Sequence, residues 1–393
     1  KKRFKKTKFL DFKDYPQNLT GLKFDYILLS HTLSTIEDVQ LFVRSLKRIS
    51  HDDTRVIVTC FNFLWKPFFD FGEKLGQILP KTKEPNWLTT KDIENIFYLE
   101  GFEKIKSENR FLLPFDIPYL SDLVNRIISK FPVINSACLI NYSIFRPISL
   151  KEKKYSTSII VPARNEKGNI KGILQKIKNL GEKTEIIFVE GHSQDNTYQA
   201  IEEEIRNYRG PFKVSLYKQP GKGKGDAVRL GFSKAKNDLL MILDADLTVS
   251  PKDLVKFYGA IASGKGDLAI GSRLVYPMEN QAMRQLNYLG NKFFSWAFTF
   301  LLGQRIKDTL CGTKAVLKEN YQKIVNNKYY FGNFDPFGDF DLIFGATKLN
   351  LKIIEVPIRY KERSYGTTNI SRFTHGVLLL KMVIFAAKKL KFY

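Results

Sequence analysis

The chain has 393 residues, 44% of them hydrophobic and 26% charged, and carries a formal charge of +23. That balance excludes a disordered chain, allows two buried cores, and implies an anionic partner: nucleic acid, an anionic membrane surface or a phosphorylated substrate. Cys60, Cys138 and Cys311 are too scattered for a disulfide framework or a metal knuckle, so a reducing compartment is expected.

In chain order, the basic start "KKRFKKTKF" leads into polar sequence, so no signal peptide is expected. "FDYILLS" (Phe24 to Ser30) and "RVIVTC" (Arg55 to Cys60) read as buried parallel strands with the helical pattern "TIEDVQLFVRSLKRI" between them. "LTTKDIENIFYLEGF" predicts a helix capped at Thr89 or Thr90 and closed at Gly101, and "EKIKSENRFLLP" and "CLINYSIFRPI" predict two further strands. This order resembles the C-terminal half of a class I, S-adenosylmethionine-dependent methyltransferase over roughly residues 8–148. The resemblance implies a cofactor cradle with a glycine-rich turn, but before Phe24 the sole glycine is Gly21. S-adenosylmethionine is therefore not expected to bind, and residues 1–148 read as a partial methyltransferase-like α/β domain.

A proline and a basic run near "FRPISLKEKKYS" mark a linker at residues 149–155. Strands are then predicted at Ser158–Val161, Glu185–Glu190, Val214–Tyr217, Leu239–Asp244 and Leu268–Ile270. Helices are predicted at Ile170–Leu180, Thr197–Tyr208, Ala227–Ala235 and Lys252–Ala262. Alternation of this kind makes a mostly parallel sheet whose ligands bind at the carboxyl ends of the strands. Those ends are polar: "PARNE", "EGHSQDNT", "QPGKGKGDA" and "DADLT". Asp244 and Asp246, one residue apart after a buried strand, repel each other unless a cation or proton lies between them.

The pieces "VPARNEKGNI", "VEGHSQDNT", "GKGKGDAVRLGF", "LDADLTVSPKDL", "IGSR", "DTLCGTKA" and "FGDFDLIFGATKLNLKIIEVPIRYKERSYG" together resemble glycosyltransferase family 2, most of all its polyprenyl-phosphate sugar transferase branch. The resemblance covers residues 156–372. It implies a GT-A fold of Rossmann-like α/β type and an inverting transfer of sugar from a nucleotide-diphosphate donor to a membrane-associated acceptor, a polyprenyl phosphate.

Residue by residue, the resemblance implies Mg²⁺ or Mn²⁺ on Asp244 and Asp246, and a donor site of Pro162, Arg164, Glu166, Glu190, Lys224, Asp226, Asp244, Arg273 and Arg363. It also implies catalytic acids on the acceptor side at Asp308, Asp339 and Asp341. Two positions depart from the family: Gly191 stands where a second Asp is usual, which leaves the base open, and Asn369 stands where a Lys is expected. His192 reads as a turn residue, and Asp339 has an alternative reading as a helix N-cap.

No apolar run reaches the roughly 20 residues that span a bilayer. "FFSWAFTFLL" (Phe293 to Leu302) and "VLLLKMVIFAAKKLKFY" (Val377 to Tyr393), the latter within a basic C-terminal helix at residues 373–393, suit helices lying in a membrane interface. The expected location is cytoplasmic, peripheral at the inner face of the membrane. Two other acceptor and partner classes stand beside this reading: a saccharide hydroxyl in cell-surface polysaccharide synthesis, or nucleic acid. The last rests on charge alone, since no recognised nucleic-acid motif occurs, and no nucleic-acid partner is expected.

Overall fold

The computed structural model describes residues 21–76, 86–149, 152–276, 285–327, 338–366 and 372–392. The chain divides between Ile148 and Ser149 into two compact units.

The first unit carries a four-stranded sheet of β1 (Phe24–Ser30), β2 (Ser50–Phe61), β3 (Phe102–Arg110) and β4 (Ile140–Pro147) in the order β1-β2-β4-β3. β1 runs parallel to β2, while β4 is antiparallel to both β2 and β3. The helix Val39–Leu46 begins where the Asp38 carboxylate accepts from Leu41 N–H at 2.8 Å. The helix Thr90–Leu99 opens on a capping box in which Thr89 and Asp92 satisfy each other's backbone N–H groups. It closes before Gly101, whose φ of 73° is the left-handed conformation glycine adopts without strain. Phe97, Phe102 and Phe145 are fully buried, and the Phe97 and Phe145 rings stack at 4.1 Å.

One expectation fails in this unit. β1 was expected to be buried but is a sheet edge, with Tyr26 56% and Leu28 65% exposed. Its apolar run alone does not determine whether a neighbouring layer covers it.

The second unit is built on a seven-stranded sheet. Its strands are β5 (Thr157–Ala163), β6 (Thr184–Glu190), β7 (Lys213–Lys218), β8 (Leu239–Ile242), β9 (Leu268–Ser272), β10 (Lys314–Leu317) and β11 (Ile353–Pro357). They lie in the order β11-β9-β10-β8-β5-β6-β7. All neighbours are parallel except β10, which is antiparallel to both β8 and β9. Leu239 to Leu243 are fully buried, as the continuous apolar run of a central strand requires.

Pro162 is tolerated inside β5 because that strand's pairing with β8 stops at Ile160–Ile242, so the missing N–H deprives no neighbour. The lone antiparallel strand matters for function. Running backwards, β10 brings its own N-terminal residues to the rim formed by the carboxyl ends of the other strands.

The helices Thr197–Asn207 and Leu254–Ala262 lie where the sequence places them. The predicted helix Ile170–Leu180 does not form. Gly172, at φ 75°, separates two single turns, Lys167–Ile170 and Ile173–Lys176. The helix expected from Ala227 starts at Lys224, which shortens the glycine-rich loop before it.

Gln285–Leu302 and Arg372–Ala386 are helices packed against each other, and a π turn, Ala387–Lys391, follows the second. Phe298 and Leu302 are buried, whereas Phe293, Trp296, Val377, Leu380 and Ile384 are exposed. Lys391 does not extend into solvent as a basic tail would. It is buried, with its ammonium 4.9 Å from the centre of the Phe300 ring. No helix among the described residues is long and apolar enough to cross a membrane.

Candidate active site

The turns after β5 and β6 interlock at the rim. Asn165 N–H donates to Ser193 Oγ at 3.0 Å, Gln194 N–H donates to Asn165 Oδ1 at 2.8 Å, and Glu166 N–H donates to Thr197 Oγ1 at 2.9 Å. Asn165, His192 and Leu247 all adopt positive φ, between 55° and 58°, so each of the turns after β5, β6 and β8 holds a non-glycine residue in the left-handed region. Strain of this kind persists where the surrounding structure over-determines it.

Within this frame the acidic residues are held by basic partners. Asp244 Oδ1 pairs with Lys224 Nζ at 2.6 Å. Burial opposes the charge on both groups, but their attraction outweighs it. The Lys224 ammonium is held above lysine's usual pKa, aided by Asp339 and Asp246, and Asp244 is held below the usual carboxylate range, aided by Lys314 and Arg273.

Asp246 is fixed by Thr248, whose N–H (3.1 Å) and Oγ1 (2.8 Å) both donate to Oδ1. Its Oδ2 accepts from Arg363 Nη2 at 2.8 Å. The same guanidinium donates through Nη1 to Glu166 Oε1 at 3.0 Å. Burial, countered by Arg363 and Asn169, leaves Glu166 above its ordinary value, with Asp246 and Asp244 adding to the rise. The segment that carries Arg363 is tied down by Lys361 N–H donating to Thr248 O at 2.9 Å and by Ser364 Oγ donating to Asn169 Oδ1 at 3.0 Å. The Tyr365 ring covers Gly168, where any Cβ would collide with it.

Asp308 is fully buried and grips Arg273 with both oxygens, Nε to Oδ2 at 2.7 Å and Nη2 to Oδ1 at 2.8 Å. Burial pushes against its charge, yet the guanidinium keeps it below the ordinary carboxylate pKa. Asp339 occupies the N-cap position of the helix Phe340–Lys348 but makes no side-chain cap bond. Its carboxylate instead accepts from Lys314 Nζ at 2.6 Å, with both side chains buried. Asp341 pairs with Arg229 at 3.3 Å.

Glu166, Lys224, Asp244, Asp246 and Arg363 thus converge, and Asp339 is electrostatically felt by Lys224. Two further expected donor residues also bond within their own turns. Glu190 Oε1 accepts from Ser193 N–H at 2.5 Å, and Asp226 Oδ2 accepts from Gly221 N–H at 2.8 Å, so each carboxylate closes its own turn. Pro162 lies in β5 and Arg164 is exposed beyond it. Asn369 and Tyr393 lie outside the described residues.

Sequence reading missed Lys314 and Gly312. A Cβ on Gly312 would run into Lys224 Nζ and Asp244 Oδ2, so only glycine leaves room for that pair. The signal for Lys314 was a lone lysine heading the short apolar strand "KAVL".

The profile of glycosyl transferase family 2 matches residues 158–324. A dolichol-phosphate mannosyltransferase of Pyrococcus furiosus is 29% identical over 230 residues, which cover 54% of this chain and 58% of that protein. A polyprenol monophosphomannose synthase of Mycolicibacterium smegmatis is 30% identical over 225 residues, covering 55% of this chain and 81% of that protein. A UDP-N-acetylglucosamine–dolichyl-phosphate N-acetylglucosaminyltransferase of Methanococcus voltae is 28% identical over 242 residues, covering 57% and 95%. Among solved structures, glucosyl-3-phosphoglycerate synthase of M. tuberculosis aligns with a TM-score of 0.43 at 17% identity, over 60% of this chain and 81% of that one. The class defined by the family match and the three sequence relatives is that of a glycosyltransferase. The chain belongs to glycosyltransferase family 2. It spans 58% of the length of the Pyrococcus relative.

Proposed function

We propose that the second unit, with its catalytic domain at residues 156–372, transfers a sugar from a nucleotide-diphosphate donor to a polyprenyl phosphate at a membrane surface. The observation that carries the choice of acceptor is the pairing of the acceptor-side acids. Asp308, Asp339 and Asp341 are each tied to a cation, and Asp308 and Asp339 are also buried. Asp308, kept below the ordinary carboxylate range by Arg273 against the push of burial, is a poor base, and the carboxylates of Asp339 and Asp341 are engaged by Lys314 and Arg229. A hydroxyl acceptor needs a base, whereas a phosphate is already ionised at neutral pH. The three acids therefore serve to position Arg273, Lys314 and Arg229, and no proton acceptor is required of them.

On the donor side, Asp244 and Asp246 supply hard oxygen donors of the kind Mg²⁺ and Mn²⁺ prefer. Among the described residues no group of three or more His, Cys, Asp or Glu is placed to hold a metal alone. That fits a cation shared with substrate phosphates rather than caged by protein. Such a cation would neutralise the charge that develops on the departing diphosphate. Lys224 and Arg363, which pair with these carboxylates, are the residues available to turn to phosphate oxygens.

Exposed Phe293, Trp296, Val377, Leu380 and Ile384, on helices that also carry exposed Lys292, Lys381 and Lys388, support peripheral contact with an anionic bilayer. The expected side is the cytoplasmic face.

For the first unit we infer a methyltransferase-like fold. The parallel β1–β2 pair joined to an antiparallel β4 supports that reading. The residues before Gly21, on which the missing cofactor turn bears, lie outside the described residues.

The test offers the enzyme a polyprenyl phosphate and the matching polyprenol in the same vesicles, with a panel of nucleotide sugars. Transfer to the phosphate, with the alcohol at least about a hundredfold slower, is expected. Comparable transfer to the alcohol would show that a base operates and would shift the acceptor to a hydroxyl.

A further inference from the structure

The donor site described so far leaves the nucleotide's base without a partner. At the end of β6, residue 191 is a glycine, so no side chain stands between Arg164 and Gln219 at this point of the rim. A Cβ built there would lie 3.3 Å from Arg164 Cβ, 3.4 Å from Gln219 Oε1 and 3.5 Å from Ala163 O. Two of those three walls are hydrogen-bond acceptors. Ala163 O already receives Gly191 N–H at 2.9 Å.

Gln219 follows β7 and is 3% exposed. Its main-chain N–H donates to Glu190 O at 3.0 Å, which locks the residue beside the end of β6. Its side-chain Nε2 donates to Gly221 O at 3.0 Å. A carbonyl oxygen accepts only from the NH₂ end of an amide, so this bond fixes the amide's orientation and leaves Oε1 facing Gly191. Oε1 accepts no hydrogen bond among the described residues. It is also absent from the sealed unsatisfied side-chain atoms, which include Asn141 Oδ1 and Glu204 Oε1. Oε1 is therefore an acceptor held in a fixed orientation on a side chain that is otherwise buried, and open to a donor from a ligand.

Building on the donor-site reading above, we propose that Gln219 reads the nucleobase, with Oε1 accepting a ring N–H, and so restricts the donor to nucleotides whose base presents one. Uracil offers N3–H and guanine offers N1–H. Cytosine N3 and adenine N1 present a lone pair at the same place, so acceptor would face acceptor. A neutral amide does this without adding charge to a rim that already holds Glu166, Glu190, Asp244 and Asp246.

The test is calorimetric titration of the full chain with UDP, GDP, CDP and ADP, each in Mn²⁺. UDP or GDP is expected to bind at least about tenfold more tightly than both CDP and ADP. In Gln219→Leu that preference should collapse to within about threefold, by loss of the favoured nucleotide's affinity, while dependence on the divalent cation remains. A merely structural role would weaken all four nucleotides alike and leave their ratios unchanged. Tight binding of CDP or ADP to the unaltered chain would overturn the role of Gln219 on its own, whether or not the variant folds. Failure of all four nucleotides to bind would overturn the donor-site reading and this proposal with it.

Discussion

Replacing Asp246 by asparagine is expected to lower sugar transfer at least about a hundredfold while the protein stays folded. The side chain has two tasks at the rim. Its Oδ1 receives both Thr248 bonds and so shapes the turn in which Leu247 sits at φ 55°. Its Oδ2 receives Arg363, the guanidinium that also holds Glu166. Asparagine can keep the Thr248 bonds through its carbonyl oxygen, but it presents NH₂ where Arg363 needs an acceptor. It also removes one of the two carboxylates that would hold a cation. The lost ion pair is partly exposed, at 22% for Arg363 and 14% for Asp246, so its contribution to stability is about 1 kcal/mol or less. Circular dichroism melts within about 3 °C of the unaltered protein, together with lost transfer, would meet the expectation. Unimpaired transfer would remove Asp246 from the site.

The second large effect concerns stability. Lys314→Met is expected to destabilise the second unit by about 3–5 kcal/mol, because it strands the Asp339 carboxylate in a site where only 8% of the side chain is exposed. Lysine 314 also donates to Cys311 O at 2.5 Å, so the carbonyl next to Gly312 loses a partner as well. Adding Asp339→Leu should recover at least half of the loss, since two apolar side chains replace the pair without leaving a charge behind.

Some of this site could be read in the sequence and some could not, for identifiable physical reasons. β6 and β8 were readable because a central parallel strand is buried on both faces, so its side chains form an unbroken apolar run ending in polar rim residues. β1 has a similar run but lies at an edge, and exposure depends on neighbours that its own residues do not specify. Glu190 sits at the predicted strand end, yet its carboxylate turns back to Ser193 N–H. Whether a rim carboxylate faces a ligand or caps its own turn is decided by backbone geometry three residues away.

Lys314 was hidden because its function comes from the reversed direction of β10, which pairs it with Ile242 of β8 and Ile270 of β9 and so lifts it to the rim. Arg363 was legible as a basic residue of the closing segment. Its two carboxylate partners, 197 and 117 residues away in the chain, were not.

The measurement that bears most directly on the donor site is the affinity of the base-matched nucleoside diphosphate by calorimetry, in Mn²⁺ and again in EDTA. Lys224 and Arg363 pair with Asp244 and Asp246, so a diphosphate arriving alone must compete with two carboxylates for those cations. Binding at least about tenfold tighter in Mn²⁺ than in EDTA, with that difference abolished in Asp246→Asn, is the predicted result. Equal affinity in the two conditions would contradict a shared cation at Asp244 and Asp246 and would require another account of how the rim holds a diphosphate.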